Sequence, residues 1–349
     1  MLQVNPISRD VIDSWPIAEA GLPVRVVNSV GPAGVARVGD LRKWADKDLL
    51  SLRSLGRISV GHIHFFFRIC NQIEQGKQRF SNIREVLSVF LDGPEFKVIS
   101  SRYGFERTEM VASRDWATLQ EIGNAEHKTR ERIRQVQDVA LHKLHSRLTA
   151  ACLQPFYEFF ASFIRSRSEV ISCSDLVPLA EDPMLAGFNV CSILLLLSDL
   201  QPGRITFHNN LFSTLSEATL QSIEAQSLLF MSEQGKPVAL NDLLPQLGDI
   251  PGLSNEGRKT ALALILDHVP HMAATTDGRH FLLSGGTHAF LVEIMQQLPR
   301  PVHYRAVTGA FNDRVKSLSR KGAGFILDAL NANPQCTRVD RGIYDLKAV

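Results

Sequence analysis

The chain has 349 residues, with 38 Lys+Arg against 36 Asp+Glu, a formal net charge of +2, 44% hydrophobic and 21% charged residues. That balance excludes extensive disorder, and the length exceeds what one hydrophobic core sustains, so several domains are expected. The longest dense apolar run, Ile193 to Leu197 with its flanks, falls far short of the roughly 20 residues a bilayer requires, and MLQVNPISRDVIDSWP lacks the basic-then-apolar order of an export signal, so a cytoplasmic location is expected.

Residues 1–20 read as an N-terminal arm. A first helical unit follows at 21–80, punctuated by GPAG (31–34) and LGR (55–57). Residues 21–80 carry 10 Lys+Arg against 4 Asp+Glu, and residues 1–150 carry 22 against 17, whereas 151–349 carry 16 against 19. A basic N-terminal part suits a polyanion.

The second unit, 81–149, breaks at DGPE (92–95) and again before Thr118. In TLQEIGNAEHK, Leu119 and Ile122 face a core and Gly123 permits a close turn between two helices. Thr129 then stands where an N-cap belongs, with Arg132 in place of a Glu or Gln three residues on. From Thr129, the residues Ile133, Val136, Ala140, Leu144 and Leu148 form one apolar stripe, while Arg130, Glu131, Arg134, Gln135 and Asp138 fall on the other side. Helix, polar turn and helix is the helix-turn-helix arrangement, whose second helix enters the major groove N-terminal end first. Arginine reads guanine, glutamate accepts from cytosine and glutamine suits adenine, so this face can discriminate sequence.

The stretch 101–148 resembles region 4 of the primary bacterial sigma factors through RYGF (102–105), TLQEIG (118–123) and TRERIRQVQDVALHKL (129–144). The resemblance implies that Arg130, Glu131, Arg132, Arg134 and Gln135, with the capping Thr129, stand where that family reads the −35 promoter element. Residues 22–66, LPVRVVNSVGPAGVARVGDLRKWADKDLLSLRSLGRISVGHIHFF, are similar to the C-terminal domain of the RNA polymerase α subunit, a helix-hairpin-helix fold that holds DNA in the minor groove. Arg25, Asn28, Gly56 and Ser59 fall on that family's contact positions, and Arg57 lies among them. Ile58 stands where the family has lysine and His62 where it has glutamate. Arginine is attracted into a narrow minor groove, and a glycine before a helix start exposes N–H donors to phosphate. Together the two resemblances imply one chain spanning adjacent promoter elements, with affinity raised by linkage.

From Ala150 onward one order recurs in three segments, 150–216, 217–285 and 286–349: a helix, a short apolar strand, a helix, a second helix and a hairpin. This is the winged-helix order, with TTDGRH and VDRG supplying hairpin tips. The last segment, through PVHYRAVTGAFN and CTRVDRGIYDL, resembles the HARE-type winged-helix domain. Arg320, Lys321, Arg338 and Arg341 are its candidate phosphate contacts, although protein contact suits the acidic half equally.

Catalytic chemistry finds no support. The histidines form no metal spacing; His142 and His145 suit a polar face or a helix C-terminus. SGGTH (284–288) lacks the lysine of a phosphate loop and reads as a link between wing and helix. Asp182, Asp199, Asp242 and Asp267 read as helix-edge residues. Cys70, Cys152, Cys173, Cys191 and Cys336 are scattered without a C-x-x-C pair and read as reduced, buried thiols. No cofactor or metal is expected.

The expectation is therefore a mainly α chain: a helix-hairpin-helix domain, a sigma region 4-type helix-turn-helix, then tandem α+β winged helices. Its expected function is non-enzymatic, sequence-specific binding of double-stranded DNA in transcription regulation, in the nucleoid of a bacterial cytoplasm and without membrane contact. A DNA-tethering adaptor of a mobile-element or anti-phage defence complex is the alternative, and a polymerase-binding factor that never touches DNA is a third. RNA polymerase or such an effector are the further partners considered, and a homodimer stays open.

Overall fold

The computed structural model describes residues 1–248 and 253–347. The chain is mainly helical with small antiparallel sheets. It divides into two compact units, one of Met1–Phe163 with Cys173–Thr206 and one of Ile164–Ser172 with Phe207–Val349.

In the first unit, β1 (Leu2–Gln3) pairs antiparallel with β2 (Arg79–Phe80). The helix α1 (Arg9–Asp13) follows β1. Val4, Ile12, Trp15, Ile17 and Ala20 are buried. The residues expected as an arm are thus packed into the unit. Next come α2 (Val24–Val30), α3 (Val38–Leu41), α4 (Asp46–Ser51) and α5 (Arg57–Glu74). The GPAG turn ends on Gly34 at φ +89°, in the left-handed region that glycine enters without steric cost. Along α5, Val60, Ile63, Phe66, Ile69, Cys70 and Ile73 are buried at helical spacing. Arg42 ties the layer together by donating to Asp13 at 2.8 Å and to Glu74 at 2.6 Å.

The helices α6 (Ile83–Phe90), α7 (Gly93–Tyr103), α8 (Leu119–Ala125) and α9 (Arg130–Leu144) start on local chemistry. The Asn82 side chain accepts from Glu85 N–H at 3.0 Å. Asp92 and Glu95 cap each other's backbone N–H at 2.9 Å, and Thr118 and Glu121 do the same. The single amphipathic stretch expected from Thr129 to Leu148 is broken. The helix α9 ends at Leu144, and Ser146 Oγ accepts from Thr149 N–H at 3.2 Å near the start of α10 (Arg147–Arg165). Leu148 therefore belongs to the following helix. A serine that satisfies a first-turn N–H favours a new start over continuation.

The strand β3 (Val170–Ser172) precedes a 3-10 segment at 173–179, then α11 (Val190–Leu200), which is buried nearly all round as its ILLLL run demands. The hairpin of β4 (Thr206–His208) and β5 (Leu211–Ser213) completes this set. A second set consists of α12 (Glu217–Gln234), β6 (Val238–Ala239), α13 (Leu240–Leu243), α14 (Asn255–His268), β7 (Met272–Ala274) and β8 (Arg279–Leu282). A third contains α15 (Gly286–Gln296), β9 (Val302–His303), α16 (Tyr304–Arg314), α17 (Ala323–Ala332), β10 (Cys336–Asp340) and β11 (Ile343–Leu346). In all three sheets the last strand of the hairpin lies in the middle, giving the orders β3-β5-β4, β6-β8-β7 and β10-β11-β9. The hairpin tips turn on Gly278 and Gly342, both at positive φ. The first set is shared out: α11 belongs to the first unit, β3 and β5 to the second.

Two cores stand out among the described residues of the second unit. One gathers Leu220, Ile223, Leu243, Leu262 and Leu266. The other gathers Phe281, Phe290, Ile294, Phe311, Ile326 and Tyr344. Among the described residues no helix is long and apolar enough to cross a membrane, and no cluster of three or more His, Cys, Asp or Glu is placed to hold a metal ion.

Candidate nucleic-acid interface

The helices α7, α8 and α9 pack on one another around Val98, Ile122 and Ile133. The link from α8 to α9 is four residues long, with His127 at φ +54° and Lys128 N–H donating to the Gly123 carbonyl at 2.9 Å. A Cβ on Gly123 would lie 2.7 Å from the Lys128 carbonyl oxygen. That contact is with backbone, which cannot swing aside, so glycine is required for the close turn.

Thr129 Oγ1 accepts from Arg132 N–H at 3.2 Å, which fixes the start of α9. Thr129, Arg130, Glu131, Arg132, Arg134 and Gln135 are all exposed. Arg134 is held between Glu131, at 2.7 Å, and Asp138, at 2.6 Å. The hydrogen-bonded Arg134 guanidinium keeps the Glu131 carboxyl below the usual carboxylate range. Arg132 donates to Gln135 at 3.3 Å, and among the described residues Arg130 has no ion pair. Exposed pairs of this spacing are screened by water and contribute little to stability. They exchange readily for an anionic partner.

The residue three places into α9 is unusual. In α6, α7 and α8 that position holds Glu85, Glu95 and Glu121, each with its carboxylate on a backbone N–H at the helix start. In α9 it holds Arg132, and Arg130 opens the helix. A helix N-terminus carries partial positive charge, so each cation there costs roughly 0.3–1 kcal/mol. Folding gains nothing visible from this choice.

Lys143 is different in kind from the three arginines upstream. Its Nζ lies 2.6 Å from both carboxylate oxygens of the buried Glu95 and ties α9 to α7. It is a packing cation.

In the 21–80 segment, Arg25 and Asn28 are exposed on α2 and line a concavity of about 770 Å³ with Pro32, Leu52, Arg53 and Ser54. Arg25 Nε donates to the Ser54 carbonyl at 2.8 Å. Gly56 is the N-cap of α5, without any side-chain cap, and nothing stands within 4 Å of where its Cβ would be. The first-turn N–H groups of α5 thus keep an open approach. Arg57 is exposed, and Ile58 is 80% exposed at the place where the resembled family has lysine. Ser59 departs from expectation: at 8% exposure it turns inward beside Val60, so its hydroxyl is not part of the open face. Arg53 was not singled out by sequence, yet lies in the same concavity two residues before Leu55-Gly56. Among the described residues no hydrogen bond or ion pair joins the α2–α5 positions to those of α9.

Asp199 and Asp267 do stand at the ends of α11 and α14, as read, but they are partly buried and act as pairing hubs rather than as caps or solvent-facing charges. Asp199 accepts from Tyr103 at 2.8 Å and pairs with Arg114 at 2.6 Å. Asp267 accepts from the buried His280 at 3.0 Å and pairs with Lys316. Asp182 does cap a helical turn, through Met184 N–H. In the third set, Arg320, Arg338 and Arg341 are exposed, while Lys321 is half-buried with its Nζ 5.6 Å from the Phe325 ring centroid.

Compared with known proteins, the chain matches no family model, no curated protein and no solved structure.

Proposed function

We propose that the chain is a sequence-specific double-stranded DNA-binding protein that acts in transcription regulation without catalysis. In this reading α8, the Gly123 turn and α9 form a helix-turn-helix of the sigma region 4 type, with α9 in the major groove. The segment 21–80 acts as a helix-hairpin-helix at the adjacent minor groove, through Arg25, Asn28, Arg57 and the open start of α5. The three helix–strand–helix–helix–hairpin sets are winged helices, the last of HARE type, free to add phosphate contacts or to dock a partner.

The observation that carries the reading is the first turn of α9, where Arg132 occupies the position that three preceding helices give to glutamate and Arg130 adds a second exposed cation. An electrostatic cost borne on a fully exposed face calls for an anionic partner outside the chain. A helix presented by its N-terminal end also fits a major groove about 12 Å wide. The adaptor reading draws on Leu229 and Leu318 of the second unit, which are 63% and 79% exposed and offer a protein partner apolar contact.

Two substitutions separate base reading from positioning. Arg134→Ala is expected to cost about 1–3 kcal/mol on the preferred duplex and to relax base preference, whereas Arg25→Ala should weaken binding evenly across sequences. Fluorescence anisotropy on preferred and scrambled duplexes reads both. Equal losses from both variants on both duplexes would remove the assignment of the two surfaces.

A further inference from the structure

Of the five cysteines, four are buried, and Cys173 alone is half-exposed. Cys173 opens the 3-10 segment at 173–179, and Cys191 is the second residue of α11. The Cys191 thiol donates to the Cys173 carbonyl oxygen at 3.9 Å, and the two thiols lie near enough to interact with each other. The Cys173 sulfur accepts from the backbone N–H of Ala112. A second thiol and a backbone N–H therefore flank one partly accessible sulfur.

The remaining thiols lack this environment. Burial pushes the Cys70 thiol up to about 12 and raises those of Cys152 and Cys336 as well. The neighbouring Cys191 thiol instead holds the Cys173 thiol below its ordinary value, and the same contact, with burial, raises Cys191. Cys173 is thus the more accessible and the more readily ionised of the two thiols, with Cys191 behind it.

We propose that Cys173 and Cys191 are a hydroperoxide-reactive dithiol, with Cys173 attacking and Cys191 resolving. The Cys173 sulfur attacks one peroxide oxygen, the O–O bond breaks, hydroxide leaves and takes up a proton as water, and Cys173 becomes a sulfenic acid. The Cys191 sulfur then attacks the Cys173 sulfur; the S–S bond forms, the S–O bond breaks and a second water leaves with the Cys191 proton. Two thiols and one hydrogen peroxide give one disulfide and two waters, with two electrons passing from sulfur to oxygen.

The pair is wired to the segment that leads into α8. Asn189 caps α11 through Ser192 N–H at 3.1 Å and donates to the Arg107 and Glu109 carbonyls at 3.0 and 2.9 Å, while its own N–H donates to Phe105 at 2.7 Å. Residues 105–112 are thereby anchored on the helix that carries the resolving thiol. On the DNA-binding reading above, oxidation would alter duplex affinity; the dithiol chemistry itself stands without that reading.

The full chain treated with one equivalent of hydrogen peroxide, alkylated and digested, should yield a Cys173–Cys191 linked peptide lighter by two hydrogens. Cys70, Cys152 and Cys336 should alkylate only after unfolding. Cys191→Ser should stop at a sulfenic acid on Cys173 that dimedone traps, and Cys173→Ser should slow peroxide consumption at least tenfold. Free alkylation of Cys173 and Cys191 after peroxide, or consumption by Cys173→Ser at the unsubstituted rate, overturns the proposal. Duplex affinity measured on the same samples reports separately on the DNA-binding reading.

Discussion

Replacing Arg130 and Arg132 together by glutamate should abolish specific duplex binding while leaving the fold as stable as before, or more so. Both side chains are exposed, and neither takes part in an ion pair among the described residues. Glutamate at the third position behind Thr129 would recreate the reciprocal cap seen at Thr118–Glu121, and two carboxylates at a helix start match its partial positive charge, a gain of about 0.5–1 kcal/mol. Against DNA the signs reverse. Losing two cationic contacts and adding two anions should cost at least about 3 kcal/mol, more than a hundredfold in affinity. Few substitutions move stability and binding in opposite directions, so thermal unfolding and anisotropy on the same sample decide the matter. Unchanged affinity would assign the arginines another purpose.

Lys143→Met should lower the thermal midpoint of the protein markedly. Its ammonium is the cation facing the Glu95 carboxylate, which is 6% exposed and already accepts from Asp92 N–H. Removing it leaves a buried charge without its counter-ion. Such breaks cost about 3–5 kcal/mol when both partners are fully buried; Lys143 is partly open to water, so about 2–3 kcal/mol is expected here. For a unit of this size that corresponds to a midpoint lower by roughly 5–10 °C. Adding Glu95→Gln to Lys143→Met should recover part of the loss, because the orphaned charge is then gone. A single variant as stable as the original would show that Glu95 needs no cation.

What was legible in the sequence is what short-range chemistry decides. Thr118 with Glu121, Thr129, Gly123 and the glycines of the two later hairpins act within four or five residues of themselves, and the elements begin and turn where those residues stand. The repeated order after Ala150 was readable from apolar spacing for the same reason. Long-range partners were not. Lys143 and Glu95 are 48 residues apart, Asp199 and Tyr103 are 96 apart, and β1 meets β2 by pairing Leu2 with Phe80. No local pattern distinguishes Lys143 from Arg134, since both sit on an amphipathic helix; only the packing of α7 makes one a structural cation. Ser59 and Leu148 failed for a related reason. Ser59 is placed by its match to the resembled family and Leu148 by helical phase, but the packing beside Val60 and the break at Ser146 decide where each one points. The proximity of Cys173 and Cys191 is likewise a product of tertiary structure.

The role of α9 is tested most directly by selecting binding sites from random duplex DNA with the intact protein at two salt concentrations. An enriched motif is expected, with affinity for it falling steeply as salt rises, at a log–log slope of about −4 or steeper if four or more phosphates are neutralised. No enriched motif together with a slope near zero would contradict a duplex-reading helix at Arg130–Gln135.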